Sequence, residues 1–438
     1  MFPTFSMKTN VLSKMGRRTA LPPISWLMQA ALSRPGLISL AAGFTDNSTL
    51  PVEISRKLLD EILHSPKTGQ PALQYGITAG EMNLRTLTAK HLQKLDGGHD
   101  RAHSPEHVII TGGSQQLLYM TLEALCDEGD IILVEDPTYF VFLGILQSRG
   151  IKARGVKLER DGIDLAHLEK VLTHLKKSGE LRRVKALYLV TYFQNPTGAT
   201  TSLAKKAAAL KLLRKFERAA GHPLYLLEDA AYRELSFPGR SERRLRPATP
   251  PTALTLPGAS ERVIYTGTYS KPYAPGARVG FGILPEPLFT AVQRIKGNHD
   301  FGTANLLQQL LARALESGLY DKHVAQVRKN YARKARVMKS ALAEHFPAGV
   351  EIWESGGGLY FWARLPQGIS AGVKSRVFQT ALRHDVLYVP GELCYADDPS
   401  RARPDHEMRL SFGSASEENI RKGIARLGKV LTRFLQPA

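Results

Sequence analysis

The feature that most constrains this chain is a series of short, β-branched apolar runs separated by longer stretches of helical periodicity. The runs are Val108–Thr111, Ile131–Val134, Ala186–Thr191, Leu224–Leu227, Val263–Tyr265 and Val279–Ile283. Each is continuous rather than alternating, the pattern of strands covered on both faces. Helical stretches lie between them, for example Gln115–Leu125, Leu203–Ala220 and Leu306–Ser317. Such alternation predicts an α/β fold on a mostly parallel sheet.

After about residue 320 the pattern changes to a basic amphipathic stretch, Tyr320–Phe346, then short strands and a final helix near Glu417–Phe434. A chain of 438 residues exceeds one ordinary domain. We therefore expect a large domain over residues 51–320 and a smaller α+β domain drawn from both termini. Residues 1–50 supply an arm and part of the smaller domain, and residues 321–438 the remainder. Phe237–Pro257 and Ala396–His406, rich in Pro, Arg and Ser or Asp, read as surface loops without chemistry.

Composition excludes several functional classes. The only cysteines are Cys126 and Cys394, which rules out a disulfide framework or a Cys-rich metal centre and fits a cytoplasmic protein with no metal. No apolar run approaches the ~18 residues of a membrane span. Residues 1–45 contain Lys8, Lys14, Arg17, Arg18 and Arg34 and no acid, but lack the continuous apolar segment of a secretory signal. The net charge of +19 is spread along the chain without an aromatic-interleaved basic stripe. We expect neither nucleic acid nor membrane as a partner; a basic surface suits small anionic ligands.

The chemistry lies in five segments. TGTYSKPYAPGARVGFG, residues 266–282, sets Lys271 among small hydroxylated residues that include Thr268 and Ser270, with Arg278 following. A lysine near positive charge gives up its proton readily and can attack a carbonyl. LLEDAAY, residues 226–232, is an apolar strand ending in Asp229, with Tyr232 three residues on; the carboxyl ends of such strands are where open α/β sheets bind ligands. YFQNPTG, residues 192–198, follows another strand and offers the Asn195 amide. TGGSQQ, residues 111–116, is a Gly-rich turn feeding a helix N-terminus, whose free amides favour an anion. In EDPTYF, Tyr139 can lay its ring on a flat ligand. Taken singly these are a solvated lysine, a helix cap, a turn, a weak glycine motif and a core aromatic. Together they meet the demands of pyridoxal 5′-phosphate: an amine, an acid for the ring nitrogen, donors for the phenolic oxygen and a phosphate cradle.

In this order and spacing the segments resemble the class I/II aminotransferases of pyridoxal-phosphate fold type I, especially the subgroup of aminoadipate, kynurenine and multisubstrate aminotransferases. The resemblance runs from about Gly36 to Leu431. It implies that Lys271 forms the Schiff base and carries the proton transfer, that Asp229 pairs with the pyridine nitrogen, and that Asn195 and Tyr232 meet the phenolic oxygen while Tyr139 stacks on the ring. Ser114, Gln115, Thr268, Ser270 and Arg278 hold the phosphate. Tyr75, in LQYGITAG, resembles the tyrosine that reaches the phosphate of a neighbouring subunit, which implies a homodimer with shared active sites. Arg409, in MRLSFG and placed just before a strand, matches the arginine that clamps the substrate carboxylate, and Gly43 belongs to a lid loop beside it. The implied substrates are an amino acid with an apolar, aromatic or aminoadipate-like side chain and a 2-oxo acid. Two departures are mild: Ala42-Gly43 stands where Gly-Gly is common, and Thr268 where serine is usual. Relatives acting on long dicarboxylates carry an arginine near the position of Trp26, which favours an apolar side chain here, although Arg17 and Arg18 lie close by. A β-lyase or decarboxylase of the same fold is the alternative chemistry. A cofactor-binding transcription regulator is the alternative of another class, disfavoured because only about forty residues precede Gly43.

Overall fold

The structure, a computed structural model, describes residues 11–98, 103–238 and 249–435. Its main sheet has eight strands in the spatial order Val108–Thr111, Gly280–Ile283, Val263–Thr268, Tyr225–Asp229, Val184–Val190, Ile131–Asp136, Lys152–Glu159 and Gly162–Ile163. From Val263–Thr268 to Lys152–Glu159 all neighbours are parallel. Gly280–Ile283 runs antiparallel to the strands on both sides of it. Val108–Thr111 and Val263–Thr268 therefore point the same way, and the carboxyl ends of all the long strands share one edge.

The expected strands form because their side chains are covered on both faces: Val108–Thr111 and Tyr225–Asp229 are buried throughout. Lys152–Glu159 was not expected. It lies near the sheet's rim, with Lys152, Lys157 and Glu159 exposed, and carries no continuous apolar run. The intervening helices have ordinary start and stop signals. Leu203–Ala220 begins with Ser202 Oγ accepting from the Lys205 amide and ends at Gly221 in the left-handed region, burying Ala209, Leu210, Leu213 and Phe216.

A second sheet is antiparallel, in the order Glu351–Trp353, Tyr360–Arg364, Glu407–Ser411, Val389–Pro390. The basic amphipathic stretch is one helix, Leu319–His345, and the final helix is Glu417–Leu435. The two pack so closely that a Cβ on Gly428 would lie 2.2 Å from the His345 carbonyl oxygen. Ile38–Ser39 pairs in parallel with Val386–Leu387, which ties the N-terminal segment to the C-terminal third.

Two readings need correction. The described part of Phe237–Pro257 is not all surface: Thr252 and Ala253 are buried, Thr252 donating to the Asp96 carboxylate and the Ala253 amide to Glu228 at 2.7 Å. In Ala396–His406, buried Asp398 accepts from the Gly155 amide at 3.0 Å and Arg401 pairs with Asp136. Polar composition suggested loops in water, whereas the polar groups are partners for buried carboxylates and main chain. Among the described residues no helix is long and apolar enough to cross a membrane.

Candidate active site

Five loops leave the common edge of the main sheet and converge. Asp229 ends its strand between Val190 and Thr266 in register. Its Oδ2 accepts from the Tyr188 hydroxyl at 2.9 Å and its Oδ1 from the Ala231 amide at 3.0 Å. Tyr188, missed in the sequence, is fully buried and stacks on Phe142, with centroids 3.7 Å apart. A tyrosine inside an otherwise aliphatic buried strand is itself a signal, because its hydroxyl must find a partner.

The Asn195 loop is held from behind. Glu135 Oε2 accepts from the Val190 amide and from Gln194 Nε2, both at 2.9 Å, and Gln194 Oε1 accepts from the Thr197 amide at 3.1 Å. Asn195 then faces two ways: its Oδ1 accepts from Arg409 Nη1 at 2.7 Å, and its Nδ2 lies 3.5 Å from the Tyr232 hydroxyl. Arg409 is 1 % exposed and sits inside the strand Glu407–Ser411, not before it. Its Nη2 donates to the Ala41 carbonyl at 2.5 Å and its plane lies over Tyr360, 4.4 Å from the centroid. The buried Nε has no partner among the described residues. The guanidinium is thus fixed, with donor capacity to spare for an incoming anion.

Lys271 follows the strand Val263–Thr268, its Nζ 5.9 Å from the Tyr232 ring centroid and donating to the Gly43 carbonyl at 3.0 Å. Tyr139 caps the helix Phe140–Arg149. Tyr360, a second residue missed, has its hydroxyl 2.9 Å from that of Tyr232 and 2.7 Å from where a Cβ on Gly43 would stand. It lies in a run of core aromatics, and nothing local marks it.

The Gly-rich turn lies beside these loops. Gln116 Oε1 takes the Gly112 amide at 2.6 Å, and Gln116 Nε2 donates to Asp300 at 2.7 Å. The helix starts at Ser114, after Gly113 at φ +102°. A Cβ on Gly113 would come within 2.8 Å of Arg278 Nη2, and one on Gly280 within 2.5 Å of the Ser114 amide nitrogen, so both positions need glycine. Arg278 Nη2 donates to the Gly112 carbonyl at 2.9 Å. The Ser270 amide donates to Thr268 Oγ1 at 3.1 Å, and both residues are buried. Amides at a helix start, hydroxyls and a guanidinium are the donors that an anion needs, and a buried carboxyl such as Asp229 suits a protonated ring nitrogen. The Gln115 side chain is exposed and lines another groove, which leaves only its main chain for the cradle. Tyr75 is 82 % exposed, its ring edge-on to Phe301 at 5.5 Å.

The family model for aminotransferases of class I and II matches residues 35–427. The chain belongs to this family. It is 34% identical to the aromatic-amino-acid aminotransferase 1 of Thermococcus litoralis, over 90% of this chain and 88% of that one. It is likewise 34% identical to the 2-aminoadipate transaminase of Thermus thermophilus, over 92% of this chain and 92% of that one. The solved kynurenine aminotransferase of Pyrococcus horikoshii superposes with a TM-score of 0.86 at 30% identity, covering 99% of both chains. Pyridoxal phosphate is the cofactor of this family. Transamination, rather than lyase chemistry or gene regulation, is what the matches support.

Charges in the aminotransferase are tuned by burial. Lys271 is lowered to about 8, first by burial and then by the positive charges of Arg409 and Arg278. Asp229 is pushed up to about 6 by burial, against the hydrogen bonds from Tyr188 and Ala231. Burial carries Glu135 to about 8, with Gln194 and the Val190 amide opposing. The Tyr232 phenol is raised well above its usual range by burial, with Tyr360 and Tyr139 adding to the effect.

Beneath the site lies a buried ionic layer that the sequence did not announce. Lys206 Nζ donates to Glu228 at 2.6 Å and to the Tyr192 hydroxyl at 2.9 Å. Arg233 pairs with Asp96, which also meets His103 at 2.6 Å. Glu228 and Tyr192 directly precede or begin the Asp229 and Asn195 segments, so this layer sets their backbones.

Proposed function

We propose that the aminotransferase holds pyridoxal phosphate on the amine of Lys271, with Ser114, Thr268, Ser270, Arg278 and the Gln115 main chain around the phosphate. Asp229 meets the ring nitrogen, Asn195 and Tyr232 the phenolic oxygen, and Tyr139 the ring face. When bound, the group supplies an electron sink for the substrate's α-carbon. The protein's residues do the rest. Arg409, braced by Asn195 and stacked on Tyr360, binds the α-carboxylate and orients the α-carbon towards Lys271. The Lys271 amine, lowered to about 8, releases and takes up a proton near neutral pH. Gly43, whose carbonyl accepts from Lys271 at 3.0 Å, parks the amine when it is free.

The observation that carries this reading is the convergence of Lys271, Tyr232, Asn195 and Arg409 within one chain of contacts. For the amino donor we favour an apolar or aromatic side chain. The helix Pro23–Leu32 turns Ile24, Leu27, Met28 and Ala31 towards Ala41, Ala42 and Phe44, around an apolar groove of about 200 Å³ next to the Arg409 contact at Ala41. Trp26, expected to supply this character, packs edge-on against Phe378 instead. Arg18 is taken by the Ser148 carbonyl and Glu128, and Arg17 by the Leu12 carbonyl, so neither lines the groove.

The homodimer is part of the same proposal, supported by the exposed apolar side chains of Leu73, Tyr75, Ile77, Met82 and Phe301, of which Tyr75 and Phe301 meet edge-on. So is a cytoplasmic setting, in keeping with two buried free cysteines. So too is the division at about residues 50 and 320, supported by the pairing of Ile38–Ser39 with Val386–Leu387. The test is the visible spectrum of the purified protein with pyridoxal phosphate, followed on adding acidic, aromatic, branched and basic amino acids, with Lys271→Ala as control. We expect a bound-cofactor band that aromatic and branched donors bleach and that the variant lacks. No band, or pyruvate or ammonia as product, overturns the reading.

A further inference from the structure

Tyr360 stands where three separate parts of the chain meet. It begins the strand Tyr360–Arg364 of the second sheet, is 1 % exposed, and reaches into the site at the carboxyl edge of the main sheet. Its ring carries the Arg409 guanidinium at 4.4 Å. Its hydroxyl lies 2.9 Å from the Tyr232 hydroxyl and 2.7 Å from where a Cβ on Gly43 would stand. Either phenol can be the donor on distance alone, and the inventory of protons decides. Tyr232 owns one hydroxyl hydrogen. One Asn195 Nδ2 hydrogen is directed at its oxygen, 3.5 Å away, which leaves the other for the ligand. If Tyr232 gives its hydrogen to a ligand oxygen, Tyr360 must be the donor between the two phenols, and both neighbours then polarise the Tyr232 hydroxyl in the same direction.

The segment before Tyr360 is stitched to the main sheet, so this geometry does not depend on a floppy loop. Ser236 and Gly357 form an antiparallel bridge, the Gly358 amide donates to the Leu235 carbonyl at 3.0 Å, and the Phe237 amide donates to Gly356 at 2.8 Å. Ser355 Oγ donates to the Gly198 carbonyl at 3.1 Å. Gly357 and Gly358 allow the approach, since a Cβ on either would collide with Phe193 at 2.7 or 2.8 Å. The loops that carry Asn195, Tyr232 and Tyr360 are therefore tied to one another by hydrogen bonds to main-chain atoms.

We infer that Tyr360 is a positioning residue for this reaction, whose hydroxyl donates to Tyr232 and thereby strengthens Tyr232 as the donor to the cofactor's phenolic oxygen. The inference rests on the assignment of Tyr232 made above. A stronger donor favours the charged phenolic oxygen and so the proton-free form of the cofactor's linkage to Lys271. The effect belongs to the hydroxyl alone: Tyr360→Phe keeps the ring under Arg409 and the packing against Gly43.

The experiment is a pH titration of the visible absorption band of the loaded enzyme, for wild type, Tyr360→Phe, Tyr232→Phe and the double variant. Loss of one neutral hydrogen bond predicts that the midpoint in Tyr360→Phe rises by about 0.5 to 1 unit. The Tyr232→Phe midpoint should rise further, and the double variant should match Tyr232→Phe. KM for the amino donor should stay within about two-fold in Tyr360→Phe, because the Arg409 stack is untouched. An unmoved midpoint in Tyr360→Phe alongside a raised one in Tyr232→Phe overturns the inference and leaves the site assignment standing. Additive shifts in the double variant also overturn it, since Tyr360 would then act on the cofactor without Tyr232. If wild type shows no band, the site assignment itself fails, and the inference with it.

Discussion

Replacing Tyr188 by Phe isolates one hydrogen bond to Asp229, the acid proposed to meet the ring nitrogen. The phenylalanine ring retains the 3.7 Å stack on Phe142, so no cavity opens and only the 2.9 Å bond to Asp229 is lost. Asp229 sits at about 6, above the ordinary carboxylate value of 3.8. Its folded form keeps a proton that the unfolded chain has released, so it contributes stability that is fully present below about pH 4 and lost as pH rises through 6. The Tyr188 hydroxyl favours the charged form, and removing it pushes Asp229 up by about one further unit. Above pH 7 the variant loses a charge-assisted bond worth about 1.5–3 kcal/mol, whereas at pH 5 it loses a neutral one worth about 0.5–1.5 kcal/mol. With an unfolding entropy of about 0.9 kcal/mol/K for a chain this long, Tm should fall by about 2–3 °C at pH 8 and by about 1 °C at pH 5. Differential scanning calorimetry of the cofactor-free protein at the two pH values provides the assay. A deficit equal at both pH values, or larger at pH 5, would show that Tyr188 does not act on the charge of Asp229.

Gly280→Ala forces a Cβ to within 2.5 Å of the Gly113 carbonyl carbon and the Ser114 nitrogen, so the helix start must shift. Strain of about 1–3 kcal/mol predicts cofactor binding weaker by about 5- to 150-fold, measurable by fluorescence quenching, with binding of phosphate-free pyridoxal little changed. The rate at which Lys271 captures a phosphate-free aldehyde should rise with pH through about 8 and then level off. Arg278→Gln removes a positive neighbour, favours the ammonium form and moves that midpoint upward; a midpoint near the ordinary lysine value in wild type would refute the electrostatic reading. Lys206→Met leaves Glu228 buried without its cation and should cost about 3–5 kcal/mol, a Tm loss of about 3–5 °C, which adding Glu228→Gln partly restores in a thermal-shift measurement.

What could be read without the structure was what neighbouring residues determine together. Parallel strands covered on both faces must be continuously apolar, so Val108–Thr111 and Val263–Tyr265 announced themselves, and the loops after them were legible as ligand loops. Lys271, Asp229 and Asn195 stand in short segments whose order along the chain is informative. The reverse direction of Gly280–Ile283 was not legible, because an antiparallel strand buried on both faces has the same composition as a parallel one. Nor was Lys152–Glu159, whose exposed lysines break the apolar run near the rim.

The tertiary structure alone decided which buried polar groups meet. Tyr188 and Asp229 are 41 residues apart, Tyr232 and Tyr360 are 128 apart, and Arg409 reaches Asn195 across 214 residues. In the sequence Tyr360 is indistinguishable from a core aromatic and Lys206 from a surface lysine on an amphipathic helix, and Tyr188, though marked as a polar tip in an aliphatic strand, gives no hint of its partner. Burial gives each of them its meaning: a hydroxyl or ammonium shielded from water must be paired, and the partner is set by how the sheets and loops pack rather than by the residues next to it. The sequence by itself therefore determined most of the parallel strands, the loops that follow them and the candidate lysine, while the folding of distant segments onto one edge determined the charges those groups carry.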